Sequence, residues 1–458
     1  MFRKIAQYLS SSSNPLTRRF GRSSGPVLPV PDIHSREHHP ISRKQVSRGA
    51  LNVLYTLNKA GFDAYLVGGC LRDIVAGMTP KDFDVVTNAT PEQVAPLFRR
   101  ARLIGRRFQI VHAYFGPEVI EIATFRALTE PGERKQSEDG MILRDNIYGS
   151  IEEDALRRDF TINALYYNID NFALYDFVGS LDDIRDRRIR MIGDATARYR
   201  EDPVRMLRAA RFAAKLQFEL DADTEAPIHQ LGLSLHQVPA ARLFDEILKL
   251  FLSGHALASL RVLQQLGLLE ILFPEAGKQL HGSHGAIWQA LIEQACINTD
   301  TRIHNQRPVT PAFLFAVFLW PALVARAARH SDQGMPEIPA WQKAAGQVLS
   351  AQVQISAIPK RFSFVIRDIW ALQQRLAKRH GQRADALMAE ARFRAGYDFL
   401  LLREQAGEIE PGLGQWWTDY QQQDADGRAQ MVQALGKPPA GSGKKRRRRR
   451  KPKSTNAQ

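Results

Sequence analysis

Cysteine is nearly absent: the 458 residues contain only Cys70 and Cys296, far apart and in no C-x-x-C pair. This argues against a disulfide framework or a thiolate zinc site and fits a reducing compartment, so a cytoplasmic location is expected. Cys70 is expected to act as a small apolar filler rather than a nucleophile. No run of eighteen apolar residues occurs, so no membrane span is expected. No His-Asp dipeptide occurs, so a fused phosphohydrolase of that type is not indicated, and no internal repeat is visible. The start, MFRKIAQYLSSSS, lacks a long apolar stretch and a cleavage pattern, and no secretory signal is expected. A transit peptide is the weaker alternative for this basic, Ser-rich stretch.

Positive charge, by contrast, is abundant and unevenly placed. The formal charge is +15, yet residues 444–453 carry nine positive charges and residues 1–48 carry nine Lys/Arg against Asp32 and Glu37. The residues between are therefore close to neutral. Like-charge blocks cannot pack and are expected to stay disordered. They bind polyanions by releasing counterions, without sequence preference. RNA contact by Lys444, Lys445, Arg446, Arg447 and Arg448 is the favoured reading, a solubility or localisation tail the plainer one.

Length predicts two to four domains. The expected division is a flexible leader (1–40), a mixed α/β head (41–190), a helical neck (191–260), a helical body (261–430) and a basic tail (431–458). Apolar periodicity predicts a helix over Ser42–Ala60 and a strand over Ala64–Val67. A second strand is expected over Asp82–Val86, and a helix over Pro91–Arg100 capped by Thr90. Further strands are expected over Ile110–Phe115 and Val119–Phe125. After Asp202 the pattern is helix after helix: Pro203–Leu216, Ala241–Leu252, Leu257–Leu269, Phe362–His380 and Asp385–Leu402.

The chemistry concentrates in LVGGCLRDIVAGMTPKDFDVVTNAT, Leu66 to Thr90. Residues i and i+2 of an extended strand face one way, about 6–7 Å apart. Asp82 and Asp84 would thus aim two carboxylates at one point, with Phe83 and Val85 on the other side. Converging hard oxygens suit Mg²⁺, which keeps waters and takes its remaining ligands from phosphates. Gly68 and Gly69 permit close backbone approach to a phosphate chain and open a helix start. An Asp-x-Asp alone is weak evidence, since most such pairs are solvated turns. The ordered set Gly68-Gly69-x-x-Arg72-Asp73, Gly77 and Lys81-Asp82-Phe83-Asp84-Val85 is much more specific. It resembles the head signature of the class II nucleotidyltransferases, which include bacterial poly(A) polymerases and CCA-adding tRNA nucleotidyltransferases.

Three further blocks extend that resemblance. Glu121, in VIEIATFR, alternates with Ile120 and Ile122 on a strand. Pattern alone makes it an exposed edge residue; the resemblance makes it the third acid of the metal site. In SIEEDALRRDFTINALYY, Arg158 and Asp159 precede Asn163. Arginine offers forked donors to phosphate, and Asp159 can accept from a ribose hydroxyl. A helix N-cap is the plain alternative there. The likeness to the family's RRDFT-N motif implies ribose recognition, with Asp159 counted among the catalytic residues. In RYREDPVRMLRAARFAAKL, Arg205, Arg208, Arg211 and Lys215 recur at helical spacing opposite Met206, Leu207 and Ala210. By itself this reads as a solvated basic face. Glu201-Asp202-x-x-Arg205 resembles the family's base-reading motif, EDxxR.

A carboxylate accepts from an exocyclic amine, and a guanidinium donates to a ring nitrogen. Asp202 and Arg205 can therefore select adenine and cytosine over uracil and guanine, because a mismatch leaves polar groups unpaired. They cannot choose adenine over cytosine. Arg242, Glu246 and Lys249, in the likeness to the fifth motif, read as braces. In PKRFSFVIRDIWALQQRLAKRH, Lys360, Arg361 and Arg367 mingle with Phe362, Phe364 and Trp370, which suits an RNA surface. Burial of those aromatics in an amphipathic helix is the plainer reading. His281 and His284 form an H-x-x-H without an obvious acid, and no metal site is expected there.

KDFDVVTNATPEQV, LIGRRFQIVHAYFGPEVIEIATFR and DNIYGSIEEDALRRDFTINALYY draw the resemblance toward the poly(A) polymerases rather than the CCA-adding enzymes. It runs from about Ile41 to Gly254 and more weakly to Arg403. It implies an α+β chain: a small mixed-sheet head of polymerase-β-like palm type, then an all-helical neck and body with disordered basic termini. It implies template-independent AMP transfer from ATP to RNA 3′ ends (mRNA, small RNA or tRNA) and a role in RNA turnover. Two Mg²⁺ ions, replaceable by Mn²⁺ and about 3.5–4 Å apart, would sit on Asp82 and Asp84. Gly68, Gly69, Arg72, Asp73, Arg158, Asn163, Asp202, Arg205 and Arg208 would bind ATP. A CCA-adding enzyme is the nearer rival, and a non-catalytic RNA-binding protein the more distant one.

Overall fold

The computed structural model describes residues 28–105, 109–128, 135–136, 142–144 and 147–436. Residues 1–27 of the expected leader and the expected RNA contacts Lys444, Lys445, Arg446, Arg447 and Arg448 lie outside the described residues. The chain forms two compact units, Met1–Asp186 and Arg187–Gln458.

The first unit is a mixed sheet with flanking helices. Its strands in chain order are β1 (Asp32–His34), β2 (Ala64–Val67), β3 (Asp84–Thr87), β4 (Ala101–Ile104), β5 (Ile110–Phe115), β6 (Glu118–Thr124), β7 (Lys135–Gln136), β8 (Ile142–Arg144), β9 (Leu165–Asn168) and β10 (Leu174–Asp176). Eight of them make one sheet in the order β1-β10-β9-β2-β3-β6-β5-β4, and β7 pairs with β8 apart from it. All pairs in the large sheet are antiparallel except β3 with β6, which is parallel and brings Asp84 opposite Glu121. The helices are α1 (Arg48–Lys59), α2 (Gly69–Val75), α3 (Pro91–Val94), α4 (Ile151–Arg157) and α5 (Ser180–Arg185). Ala155 of α4 packs with Val67, Val86, Phe125, Tyr166 and Phe177. The alternate residues Leu66, Val85 and Ile122, all buried, line the opposite face.

Several boundaries differ from the sequence expectations, each for a local reason. The first helix starts at Arg48 rather than Ser42, because the Ser47 hydroxyl caps it by accepting from the Ala50 N–H; residues Arg43–Gln45 form a separate 3₁₀ turn. The helix expected over Pro91–Arg100 stops at Val94 and passes into a 3₁₀ turn, since Pro96 has no N–H to continue the ladder. The strand expected from Asp82 begins at Asp84. The apolar run after Asp159 is no helix: Thr161–Asn163 is a 3₁₀ turn feeding β9. The span 385–402 is two helices, Arg383–Met388 and Phe393–Gln405.

The second unit is helical apart from a two-residue parallel pair, β11 (Arg188–Ile189) with β12 (Glu219–Leu220). Its first helices are α6 (Ala195–Glu201), α7 (Val204–Leu216), α8 (Ala222–Leu231) and α9 (Ala240–Phe251). On α7, Met206, Leu207 and Ala210 are buried and the arginines lie on the half-exposed side. Farther on, Trp417 and Tyr420 are fully buried with Leu372, Leu376, Phe393 and Tyr397. Among the described residues no single helix is long and apolar enough to cross a membrane; one bent pair, Pro311–Phe318 with Trp320–Asp332, passes on length and composition, but most of its apolar side chains are buried within the protein.

Candidate active site

Period-two burial carries through the acidic segment although the ladder begins only at Asp84. Phe83 and Val85 are buried, while Asp82 and Asp84 are exposed on the other side. Glu121 is likewise exposed between buried Ile120 and Ile122. Directly opposed residues share a face, so the register builds one row across four strands: Asp84 on β3, Glu121 on β6, His112 on β5 and Arg102 on β4. His112 Nε2 lies 3.4 Å from Glu121 Oε1. Sequence reasoning missed His112. Its only signal is alternation on β5 with the buried Val111 and Ala113.

Asp84 is electrostatically perturbed by its surroundings. Part of its surface meets water, yet surrounding protein strips much of its solvation. Its pKa rises from 3.8 to about 6, through desolvation first and then the Glu121 charge; Asp82 adds to the rise and Arg158 opposes it. Asp84 thus feels the charge of both other acids. Among the described residues no three His, Cys, Asp or Glu side chains gather tightly enough to enclose a metal ion by themselves.

The glycine turn sits beside these acids. Gly68 has φ of 78° and ψ of −138°, a conformation that side chains resist. A Cβ there would lie 3.7 Å from Arg158 Nη1 and 3.9 Å from Asp84 Oδ2, so the bare backbone stands between a cation and an acid. A Cβ on Gly69 would come within 3.3 Å of Arg72 Nη2.

The remaining head residues form two interior networks. Arg72 is buried and donates to Asp73 Oδ1 at 2.8 and 2.6 Å and to Asn163 Oδ1 at 2.7 Å. Asn163 in turn donates to Asp159 Oδ1 at 3.1 Å. The chain Asp73–Arg72–Asn163–Asp159 thus ties α2 to the turn before β9. Arg158 is held by Tyr166 Oη at 2.8 Å and Asp154 Oδ2 at 3.0 Å, and Tyr166 also donates to Asp154 at 2.8 Å. Its guanidinium is driven to bind its proton more firmly by Tyr166 and Asp154, against the opposing effect of burial. Asp154 and Tyr166 were not anticipated; the i, i+4 spacing of Asp154 and Arg158 on a helix end was the available signal. Cys70 is buried, donates to the Val67 carbonyl, and has its pKa pushed up to about 12 by desolvation.

In the second unit the EDxxR segment spans the break between α6 and α7. Asp202 and Arg205 do not bond each other through their side chains. Arg242 of α9 donates to both Asp202 oxygens, at 2.9 and 2.7 Å. Arg205 donates to Glu201 at 2.6 Å and to the Arg198 carbonyl at 2.8 Å. Arg208 lies with its guanidinium carbon 5.4 Å from the Phe212 ring centroid. Lys249 pairs with the buried Glu246 at 2.8 Å. Lys360, Arg361 and Arg367 are exposed on the helix Lys360–Leu376. Trp370 is buried there as expected, but Phe364 is 65 % exposed. The H-x-x-H does have an acid nearby, because His281 bonds Glu270. No metal cluster forms there among the described residues.

Comparison with known proteins gives three family matches: "Poly A polymerase head domain" over residues 64–190, "Probable RNA and SrmB- binding site of polymerase A" over 217–280, and "Polymerase A arginine-rich C-terminus" over 333–453. Poly(A) polymerase I of Salmonella typhi is 44% identical over 453 residues, covering 96% of each chain. A CCA-adding enzyme of Lactobacillus helveticus is 34% identical over 230 residues, 50% of this chain and 56% of that one. The Bacillus stearothermophilus CCA-adding enzyme in complex with CTP superposes with a TM-score of 0.55 at 26% identity, covering 82% of this chain and 81% of that one. The match along nearly the whole length, with all three family regions in order, places the chain in the poly(A) polymerase family.

Proposed function

We propose that the chain adds AMP from ATP, without a template, to RNA 3′ ends, giving tails that promote RNA turnover. The observation that carries this reading is the pairing of Asp84 with Glu121, with Asp82 two residues before, and the raised pKa of Asp84. Carboxylates crowded on an open sheet face favour a counter-cation when ionised.

Asp82 and Asp84 would hold Mg²⁺ or Mn²⁺, with Glu121 completing the acidic face. When bound, the ions supply Lewis-acid activation of the RNA 3′-hydroxyl and charge to balance the departing pyrophosphate. Gly68 and Gly69 let the triphosphate approach the backbone, and Arg72 and Asp73 fix the turn through Asn163. Asp159 accepts from the ribose, and Arg158 sets the charge beside Asp84. Asp202 and Arg205 read the base, held by Arg242 and Glu201, with Arg208 on the same helix face. We assign residues 41–190 to the catalytic head, 191–260 to the neck and 261–430 to an RNA-binding body.

Asp82→Ala or Asp84→Ala should abolish nucleotide transfer while RNA binding persists; activity surviving either change overturns the assignment. The decisive assay offers each NTP singly, with Mg²⁺, on an oligo(A) primer and on a tRNA lacking CCA, plus a CTP and ATP mixture on the tRNA. Long ATP-only extension supports the polymerase. A stop after CCA supports the rival, which the base-reading pair itself does not oppose, since it accepts adenine and cytosine alike.

A further inference from the structure

Within the second unit lies a cavity of about 740 Å³, framed by the helices Gly285–His304, Pro311–Phe318, Lys360–Leu376 and Phe393–Gln405. The volume lies in the range of roughly 300–1,000 Å³ that holds small organic ligands. Its floor is apolar and partly aromatic, with Phe313, Phe362, Val365 and Leu401. Its wall carries Arg302, Arg361, Arg392 and Arg394 against the single carboxylate of Asp398. Asp398 is itself taken by Arg394 at 2.9 Å, and Arg302 donates to the Pro308 carbonyl at 3.0 Å. Arg361 and Arg392 are exposed, and neither guanidinium has an ion pair among the described residues; that of Arg361 lies 4.9 Å from the Phe362 ring centroid. Two guanidiniums without a carboxylate partner, beside an aromatic floor, are matched by a ligand with phosphates outside and a flat ring inside.

The adjoining helix surface favours a strand over a free nucleotide. The first turn of Lys360–Leu376 contains no acidic residue, although its positive end carries Lys360 and Arg361. Beyond the cavity, Phe364 and Arg367 continue along the exposed side, one turn apart. Exposed rings alternating with guanidiniums form a track on which successive bases stack while the backbone is neutralised. The family match described as RNA-binding ends at residue 280, before any residue of this cavity.

We propose that the cavity is a strand-holding subsite. It takes one unstacked base of the single-stranded RNA substrate on the floor of Phe313 and Phe362. The flanking phosphates lie on Arg361 and Arg392. The proposal rests on RNA being the substrate. It is tested without nucleotide transfer, so the failure of either reading can be told from the failure of the other.

The experiment uses the full chain and a fluorescent oligo(A), with binding measured by anisotropy across a salt series in EDTA. The double variant Arg361→Ala/Arg392→Ala should lose at least tenfold in affinity. Its slope of log affinity against log salt should shrink by about 1.4, since each single-strand phosphate contact contributes about 0.7. Val365→Trp, which fills the cavity, should weaken binding severalfold with the slope unchanged. Oligo(A) carrying 8-azidoadenosine should crosslink to peptides containing Phe313, Phe362 or Leu401 in the wild type and not in Val365→Trp. Thermal melts of both variants show whether they are folded; if Val365→Trp is not, the crosslink map of the wild type decides. Crosslinks confined to other peptides, or an unchanged slope in a folded double variant, overturn the proposal. So does free AMP displacing the strand from the cavity, which would make it a mononucleotide pocket.

Discussion

Arg242 grips both carboxylate oxygens of Asp202, at 2.9 and 2.7 Å, from a helix forty residues farther along the chain. A bidentate guanidinium fixes the carboxylate plane and leaves its outer lone pairs to accept from a base amine. Arg242 reads from sequence as a helix brace; its partner makes it a positioning residue for base selection. Arg242→Ala should lower the ATP-to-UTP ratio of kcat/KM on the order of tenfold, the worth of one charge-assisted hydrogen bond. Arg242→Lys should recover the charge but not the two-point grip, and so restore only part of the ratio. A ratio that holds while the melting temperature falls would return Arg242 to a purely structural role.

The raised pKa of Asp84 gives a signed pH dependence. Its carboxyl titrates at about 6 in the folded chain and at 3.8 in its ordinary state. The folded chain therefore keeps a proton that the unfolded chain has already released. This group favours the fold most below about pH 3.8, and that contribution is lost as the pH climbs to about 6. In EDTA, the melting temperature of Asp84→Asn minus that of the wild type should grow between these limits and then level off. Added Mg²⁺ should stabilise the wild type above pH 6 and not the variant, because cation binding requires the ionised acid. A difference that is flat with pH contradicts the crowding of charge at Asp84.

Gly68 tests the turn separately from the acids. A methyl group there would meet nothing closer than 3.7 Å, so crowding is not the difficulty. The backbone is, since φ of 78° with ψ of −138° is a region other residues occupy at a cost of roughly 1–3 kcal/mol. Gly68→Ala should lower stability by that amount in a denaturant titration. It should also raise the KM for ATP, because the methyl group would stand between Arg158 and Asp84. Wild-type stability in this variant would mean that the turn relaxes freely.

Features set by short-range pattern were legible in the sequence. Period-two burial around Phe83 and Val85, and around Ile120 and Ile122, placed Asp82, Asp84 and Glu121 on an open face before any fold was known. The Arg72–Asn163 link was not legible as a bond, because it joins side chains 91 residues apart. The same holds for Arg242 with Asp202, where spacing gives no clue to the partner. The segment after Asp159 misled because an apolar run following Asp and Thr has one composition for a helix and for a buried strand. Its pairing with β2 and β10 decided the matter. Phe364 misled differently: helical spacing suggested burial, yet the ring is 65 % exposed.

His112 supplies the last test. It stands directly across from Glu121, which stands directly across from Asp84, so the imidazole ends the acidic row on the side away from the glycine turn. With Nε2 3.4 Å from Glu121 Oε1, its ring can limit how that carboxylate turns. Groups that orient a metal-facing acid in this way typically change metal affinity or turnover about tenfold or more when removed. His112→Ala should therefore raise the Mg²⁺ concentration for half-maximal activity by roughly tenfold. The KM for RNA should be unaltered. His112→Gln keeps a polar group of similar reach beside Glu121, and should restore much of the Mg²⁺ response where a merely space-filling role would not distinguish the two variants. A Mg²⁺ titration of His112→Ala that overlays the wild type would leave Glu121 oriented by the sheet alone.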